Sequence, residues 1–294
     1  MIKHPPALGL MKCALPLLLA LSGCDWGPAS IVSHPATFSA GDSPGAKVVF
    51  LAGRNSHGPG AHDHKGGSEL LSQALQARRP DIETVNVYGG WPEDESIFTD
   101  ASTLVLYCDG GKGHLINDHL ASFNKMVAQG VGVVALHYCV EVPKGSLAAD
   151  AMLEAVGGHF ETEWSVNPHW EATFTSLPKH PASEGITPFA MLDEWYFNMR
   201  FQPEMKGVTA ILSAVAPEAT MERRNGPHSG NDTVRKLVAD GVPQITAWAY
   251  ERENGGRGFG YTGGHFHDNW QNDSARNLVL NAIEWSAKDS KQSP

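Results

Sequence analysis

The sequence predicts an α/β domain: a parallel sheet with helices on both faces and an added region of mixed or antiparallel strands. Three observations predict it. Residues 47–52, 103–107 and 131–136 are continuous apolar runs, the pattern of strands buried on both faces. Helical stretches at 68–78, 116–129 and 148–156 alternate with strand-like stretches, including one at 82–88. Such alternation implies parallel pairing through right-handed crossovers. Beyond residue 170 the pattern changes, and strand-like runs at 170–176, 189–197, 208–215, 244–250 and 258–262 follow without long helices between them. A closing helix is expected over 274–288 with Asp273 as its N-cap.

The domain is expected to span 47–288. Ahead of it, Lys3 and Lys12 precede an apolar run at 14–21 that is too short to cross a bilayer but suits a secretory signal. The run ends in Leu21-Ser22-Gly23-Cys24, which looks like a bacterial lipobox. Residues 1–24 are therefore read as a lipoprotein signal, with Cys24 acylated and Met11 an alternative start. The expected location is periplasmic and membrane-anchored, at the inner membrane if the source is Gram-negative, because Asp25 follows Cys24. Residues 25–46, rich in Ser, Pro, Gly and Ala, read as a tether. The segment 218–240 has Gly, Pro, Asn and both charges without clear period and reads as a loop. A formal net charge of -10, with no clustered Lys and Arg, argues against a nucleic-acid partner. Cys108 and Cys139 each follow an apolar run; two buried thiols packing as small hydrophobes are expected, with a disulfide between them the alternative in an oxidising compartment.

Titratable groups gather where these strands end, and in open parallel sheets ligands bind beyond the carboxyl ends of the strands. Arg54, His57, His62 and His64 follow the first strand, Asp109 the third, and His137 and Glu141 the fourth. Near the end comes Gly263-Gly264-His265-Phe266-His267-Asp268-Asn269-Trp270, with two imidazoles at i and i+2. On an extended segment His265 and His267 point to one face. The candidate catalytic residues are His137, Glu141, Glu194, His265 and His267. His57, His137, His265 and His267 are the candidate ligands of a divalent transition metal such as zinc or manganese; the same histidines acting without metal are the alternative. Arg54, Asp109, His169, Trp170, Trp195, Arg200 and Trp270 are candidate substrate contacts, the indoles as stacking platforms for a sugar ring, together with Trp91.

Five blocks carry a resemblance: SHGPGAHDH at 56–64, GVGVVALHYCVE at 130–141, SVNPHW at 165–170, DEWYFNMRF at 193–201 and GRGFGYTGGHFHDNW at 256–270. Together they resemble the trehalose-utilisation (ThuA-like) family. The resemblance implies a flavodoxin-like fold similar to class I glutamine amidotransferases, and a place in sugar catabolism beside oxidoreductases that make 3-keto sugars. A carbohydrate substrate and an oxidoreductase partner follow as expectations. A carbonyl at carbon 3 acidifies the proton on carbon 2, so one base and one electrophile suffice for elimination, isomerisation or hydrolysis. Glu194 or Glu141 is the expected base, and His137 or a metal the electrophile. Glutaminase chemistry is not expected, because the glycine-flanked elbow that presents a nucleophilic Cys is absent around Cys139. A lyase, hydrolase or isomerase is thus favoured over a non-catalytic sugar-binding lipoprotein.

Overall fold

The computed structural model describes residues 45–287. The expected signal and acylated Cys24, all but the last residues of the expected tether, and position 288 of the expected closing helix lie outside the described residues. In chain order come β1 (Lys47–Ala52), α1 (His64–Arg78), β2 (Glu83–Tyr88), β3 (Ala101–Tyr107), α2 (Leu120–Ala128), β4 (Gly132–Leu136) and α3 (Leu147–Val156). Then follow β5 (Gly158–His159), β6 (Trp170–Phe174), β7 (Phe189–Asp193), β8 (Arg200–Phe201), β9 (Val208–Ala214), α4 (Asp232–Ala239), β10 (Gln244–Glu251), β11 (Arg257–Tyr261) and α5 (Asp273–Ser286).

Seven strands form one sheet in the order β2-β1-β3-β4-β11-β10-β9. β2, β1, β3, β4 and β11 are mutually parallel, while β10 runs antiparallel to both β11 and β9. The continuous apolar runs explain this placement. Val48 and Phe50, Val105 and Tyr107, Val134 and Leu136 face a core shared with α1 and α5. Their neighbours Val49 and Leu51, Leu104 and Leu106, Val133 and Ala135 face a second core with α2 and α3. Alternate side chains feed opposite faces, so a strand covered on both sides must be apolar throughout. β6 and β7 form a separate antiparallel hairpin, and β5 pairs with β8. No helix among the described residues is long and apolar enough to cross a membrane.

Three expectations need correction. The 218–240 segment is not all loop. It contains α4, whose N-cap Asn231 accepts hydrogen bonds from the amides of Thr233 and Val234 at 2.9 and 3.3 Å. Val234 and Val238 bury one face of it, a stripe too short to stand out in the sequence. The strand expected over 189–197 stops at Asp193, whose buried carboxylate binds other backbone instead of continuing a ladder. The N-cap of α5 is Asn272, which accepts from the Ala275 amide at 3.1 Å, while Asp273 pairs with Arg276.

Candidate active site

Because β1, β3, β4 and β11 are parallel, the residues after their last positions meet at one edge of the sheet. After β4 the chain turns sharply into a short 3-10 helix, and His137 occupies that turn with φ 54°. A left-handed backbone at a non-glycine residue costs free energy and is retained where surrounding structure imposes it. A strained strand-to-helix turn is therefore present, without the flanking glycines of a Cys-presenting elbow, and it carries an imidazole. Cys139, two residues on, is fully buried, and burial pushes its thiol well above the usual range. It is not placed as a nucleophile.

His137, His62 and His265 converge with Glu194, the residue after β7. His62 Nε2 lies 3.1 Å from His137 Nε2 and 3.0 Å from His265 Nδ1. Glu194 Oε2 lies 3.0 Å from His265 Nδ1 and 3.5 Å from His137 Nε2. The partners on the far side of two rings fix their tautomers. His62 Nδ1 faces the Asp109 carboxylate at 3.0 Å, and His137 Nδ1 faces the Thr262 carbonyl at 2.9 Å. Both partners accept only, so each Nδ1 carries a hydrogen, and a ring with that single hydrogen turns a bare Nε2 toward the other. Two lone pairs at 3.1 Å cannot hydrogen-bond to each other. Protonating His137 to bridge them is opposed, because burial, with His62 beside it, drives its pKa well below the ordinary histidine value.

A shared cation would resolve that conflict, and His62, His137, Glu194 and His265 are the residues that could hold it. Donors held about 2.0–2.1 Å from one ion stand about 3.3 Å apart in a tetrahedron and about 2.9 Å apart along an octahedral edge. The four close separations here fall between 3.0 and 3.5 Å. Asp109 behind His62 and Thr262 behind His137 are the outer partners that metal-bound imidazoles require. Ser56 donates to Asp109 at 2.7 Å. Burial pushes the Asp109 carboxyl up, and the bonds from His62 and Ser56 outweigh it, so its pKa falls below the usual value.

Two further donor clusters do not fit a metal as well. In the group of Cys108, His114 and Cys139, His114 Nδ1 accepts the Ile116 amide at 3.1 Å. Its Nε2 therefore carries the hydrogen and donates to the Cys139 carbonyl at 2.8 Å, leaving no lone pair. In the group of His57, His62 and Asp109, the His62 nitrogen on that side is already bonded to Asp109.

The loop from β11 to α5 is fixed from below by Asp193. Its buried carboxylate accepts from the amides of Gly264, His265 and Glu194 at 2.7, 3.0 and 2.8 Å and from Asn269 Nδ2 at 2.9 Å. One residue thus sets the backbone of two members of the cluster. Gly264 has φ 101°, where side chains are strained, and Tyr107 donates its hydroxyl to the Gly264 carbonyl.

Of the residues singled out in the sequence, His137, Glu194 and His265 are brought together, and Asp109 supports them. His57 and His267 stand outside the converging set. The His57 ring lies over His62 with its Nδ1 2.9 Å from Ser56 Oγ. His267 turns toward Asp63, 3.5 Å away. The chain after β11 is not extended: the turn at Gly264 and the short helix His267–Gln271 break the two-residue alternation. Glu141 is bound by His228. His169 lies on the open side, its ring 4.9 Å from that of His265. Arg54 is exposed and outside the cluster, and Arg200 pairs with Glu161 at 2.7 Å above the Trp164 ring. Trp170, Trp195 and Trp270 are buried in the core, so their faces are not open to a sugar. The face of Trp91 is taken by His119, stacked at 4.9 Å. His62, Tyr196, Asp193 and His228 were not chosen from the sequence. His62 was visible only as one of three histidines in a single motif.

The sequence model of the trehalose-utilisation family matches residues 56–286, most of the chain. The chain belongs to that family. A ThuA-like protein from Bacteroides uniformis ATCC 8492 is similar at 16% identity and a TM-score of 0.57, over 86% of this chain and 95% of its own. A ThuA-like protein from Parabacteroides merdae ATCC 43184 gives 15% identity and a TM-score of 0.56, over 85% and 93%. At these identities the likeness establishes the fold alone, an α/β arrangement with a mostly parallel central sheet as the sequence predicts. Among curated proteins no sequence matches it.

Proposed function

We propose that this trehalose-utilisation family chain is a metal-dependent acid/base enzyme of sugar catabolism that breaks the glycosidic bond of a 3-keto glycoside by elimination. The observation that carries this reading is the pair of bare nitrogens on His62 and His137, completed by His265 and Glu194. A divalent transition ion held there would supply Lewis acidity to a carbonyl or hydroxyl oxygen of the substrate. Beside the cluster a cleft of about 330 Å³ is lined by Asn167, His169, Glu194, Thr220 and Arg223, a size and polarity suited to a sugar ring. Asn167 Nδ2 donates to Glu194 Oε1 at 3.1 Å, and the Tyr196 hydroxyl donates to Oε2 at 3.2 Å, so this carboxylate is oriented rather than free. The role of base then passes to the exposed histidines flanking the cluster, His57 and His169. Desolvation, with His62 adjacent, lowers the His57 pKa, which leaves it unprotonated at neutral pH and able to take the carbon 2 proton.

Export and lipid attachment at Cys24 are part of the same proposal, supported by the 11–24 stretch, as is an oxidoreductase that supplies the keto substrate. Fatty-acid labelling that is lost in Cys24→Ala tests the anchor. For the activity, purified protein is given a 3-keto disaccharide and its non-keto parent. Turnover of the keto sugar alone, abolished by chelation and restored by added zinc or manganese, supports the reading. Turnover that survives complete metal removal contradicts it.

A further inference from the structure

Outside the cluster, a second pair of titratable side chains is built into the same sheet edge. Glu141, in the turn after β4, is 4% exposed, and both its carboxylate oxygens lie 2.9–3.0 Å from His228 Nε2. The His228 ring stacks on Phe160 at 5.4 Å, which fixes its plane. A third of the His228 side chain is exposed, and its Nδ1 has no hydrogen-bond partner among the described residues. Its backbone sits at φ 58°, as those of His57, His62 and His137 sit at 65°, 45° and 54°. The residue is therefore held at some conformational cost.

The pair is wired to the cluster. Arg223 Nη2 donates to the His228 carbonyl and to Asn167 Oδ1, each at 2.7 Å, and Asn167 reaches Glu194. Tyr138 and Tyr196 feel the charges of both Glu141 and Glu194, so the two carboxylates flank one pair of phenols. Gly110 makes room for this arrangement: a Cβ there would meet the Tyr138 and Glu141 carbonyl oxygens at 2.4 and 2.8 Å.

We propose that Glu141 and His228 form a second proton-transfer unit, in which His228 delivers a proton to the leaving oxygen of the glycoside. This rests on the elimination proposed above. As the base takes the carbon 2 proton, the C–H pair becomes the double bond to carbon 1, and the bond from carbon 1 to oxygen breaks. That oxygen leaves with its electron pair and takes the proton from His228 Nδ1. The imidazole is left neutral, still donating through Nε2 to Glu141, and solvent returns the proton. Glu141 is then a positioning residue and not the base. The charged groups facing His228 are Glu141, Glu194 and, from its own loop, Arg223. The hydrogen bond that His228 donates to Glu141 raises its pKa, against burial and Arg223, and so favours the protonated form that the step needs.

The test uses full-length, metal-loaded protein and two 3-keto glucosides, one with p-nitrophenol and one with methanol as the leaving group. A good leaving group needs no proton. His228→Ala and His228→Gln should slow the methyl glycoside by at least about a hundredfold and the aryl glycoside by less than about fivefold, with metal content unchanged. Glu141→Gln should slow the methyl glycoside as well and move the alkaline limb of its rate profile to lower pH. Equal slowing of both substrates, or of neither, overturns the assignment while leaving the metal reading intact. Should wild-type protein convert neither glycoside, the elimination falls and this role for His228 falls with it.

Discussion

Asp109 holds the hydrogen of His62 Nδ1 and so leaves Nε2 bare. Asp109→Asn can offer an amide N–H in place of an acceptor and favour the wrong tautomer. It is expected to weaken metal binding by roughly 10–100-fold with little change in thermal stability, as measured by competition with a chromogenic chelator. Unchanged affinity would mean that His62 is not a ligand. His265→Ala should cut turnover by at least about a hundredfold and lose metal, whereas His267→Ala should cost less than about fivefold, because His267 faces Asp63. Sequence spacing alone does not separate these two. Alternation assigns both to one face, and the departure comes from Gly264 and from hydrogen bonds to Asp193, a residue far away in the chain. His137 and Asp109 were legible because each follows an apolar run whose direction the α/β pattern sets, whereas Glu194 lies within a strand expected to run on to 197 that in fact ends at Asp193.

Asp193 joins the end of β7 to the loop before α5. Asp193→Ala would strand three backbone amides and the Asn269 amide, and a buried unpaired donor costs about 1–3 kcal/mol. The expected loss is on the order of 3 kcal/mol or more, read as a lower urea midpoint with an unchanged slope. A loss below about 1 kcal/mol would show that the loop holds its shape without it. The strands were legible as elements because burial on both faces requires unbroken apolar runs. α4 was not, since its two buried valines cover only one turn, and Asn231 signals a cap only once the following residues are known to be helical.

For the whole molecule, folding places several histidines in dry surroundings, and His114 shows the consequence. Burial, set against its bond to the Cys139 carbonyl, lowers its pKa from 6.5 to about 4. The unfolded chain takes up that proton first as the pH falls. His114 therefore leaves stability intact above about pH 6.5 and erodes it between there and about pH 4, by up to on the order of 3 kcal/mol. Urea midpoints measured across that range should fall with pH, and His114→Gln should flatten the decline. A decline of equal slope in the variant would assign it to other groups. The parallel sheet brings His62, His137 and His265 to one edge, where the end of the β6–β7 hairpin adds Glu194, and on that convergence the functional account stands. Its most direct test is elemental analysis of purified, dialysed protein beside His62→Ala and the double variant His62→Ala/His137→Ala. Wild type should carry close to one equivalent of transition metal, the single variant much less and the double variant none. Metal-free wild type that cannot be loaded, or a double variant that keeps its full equivalent, would contradict the account.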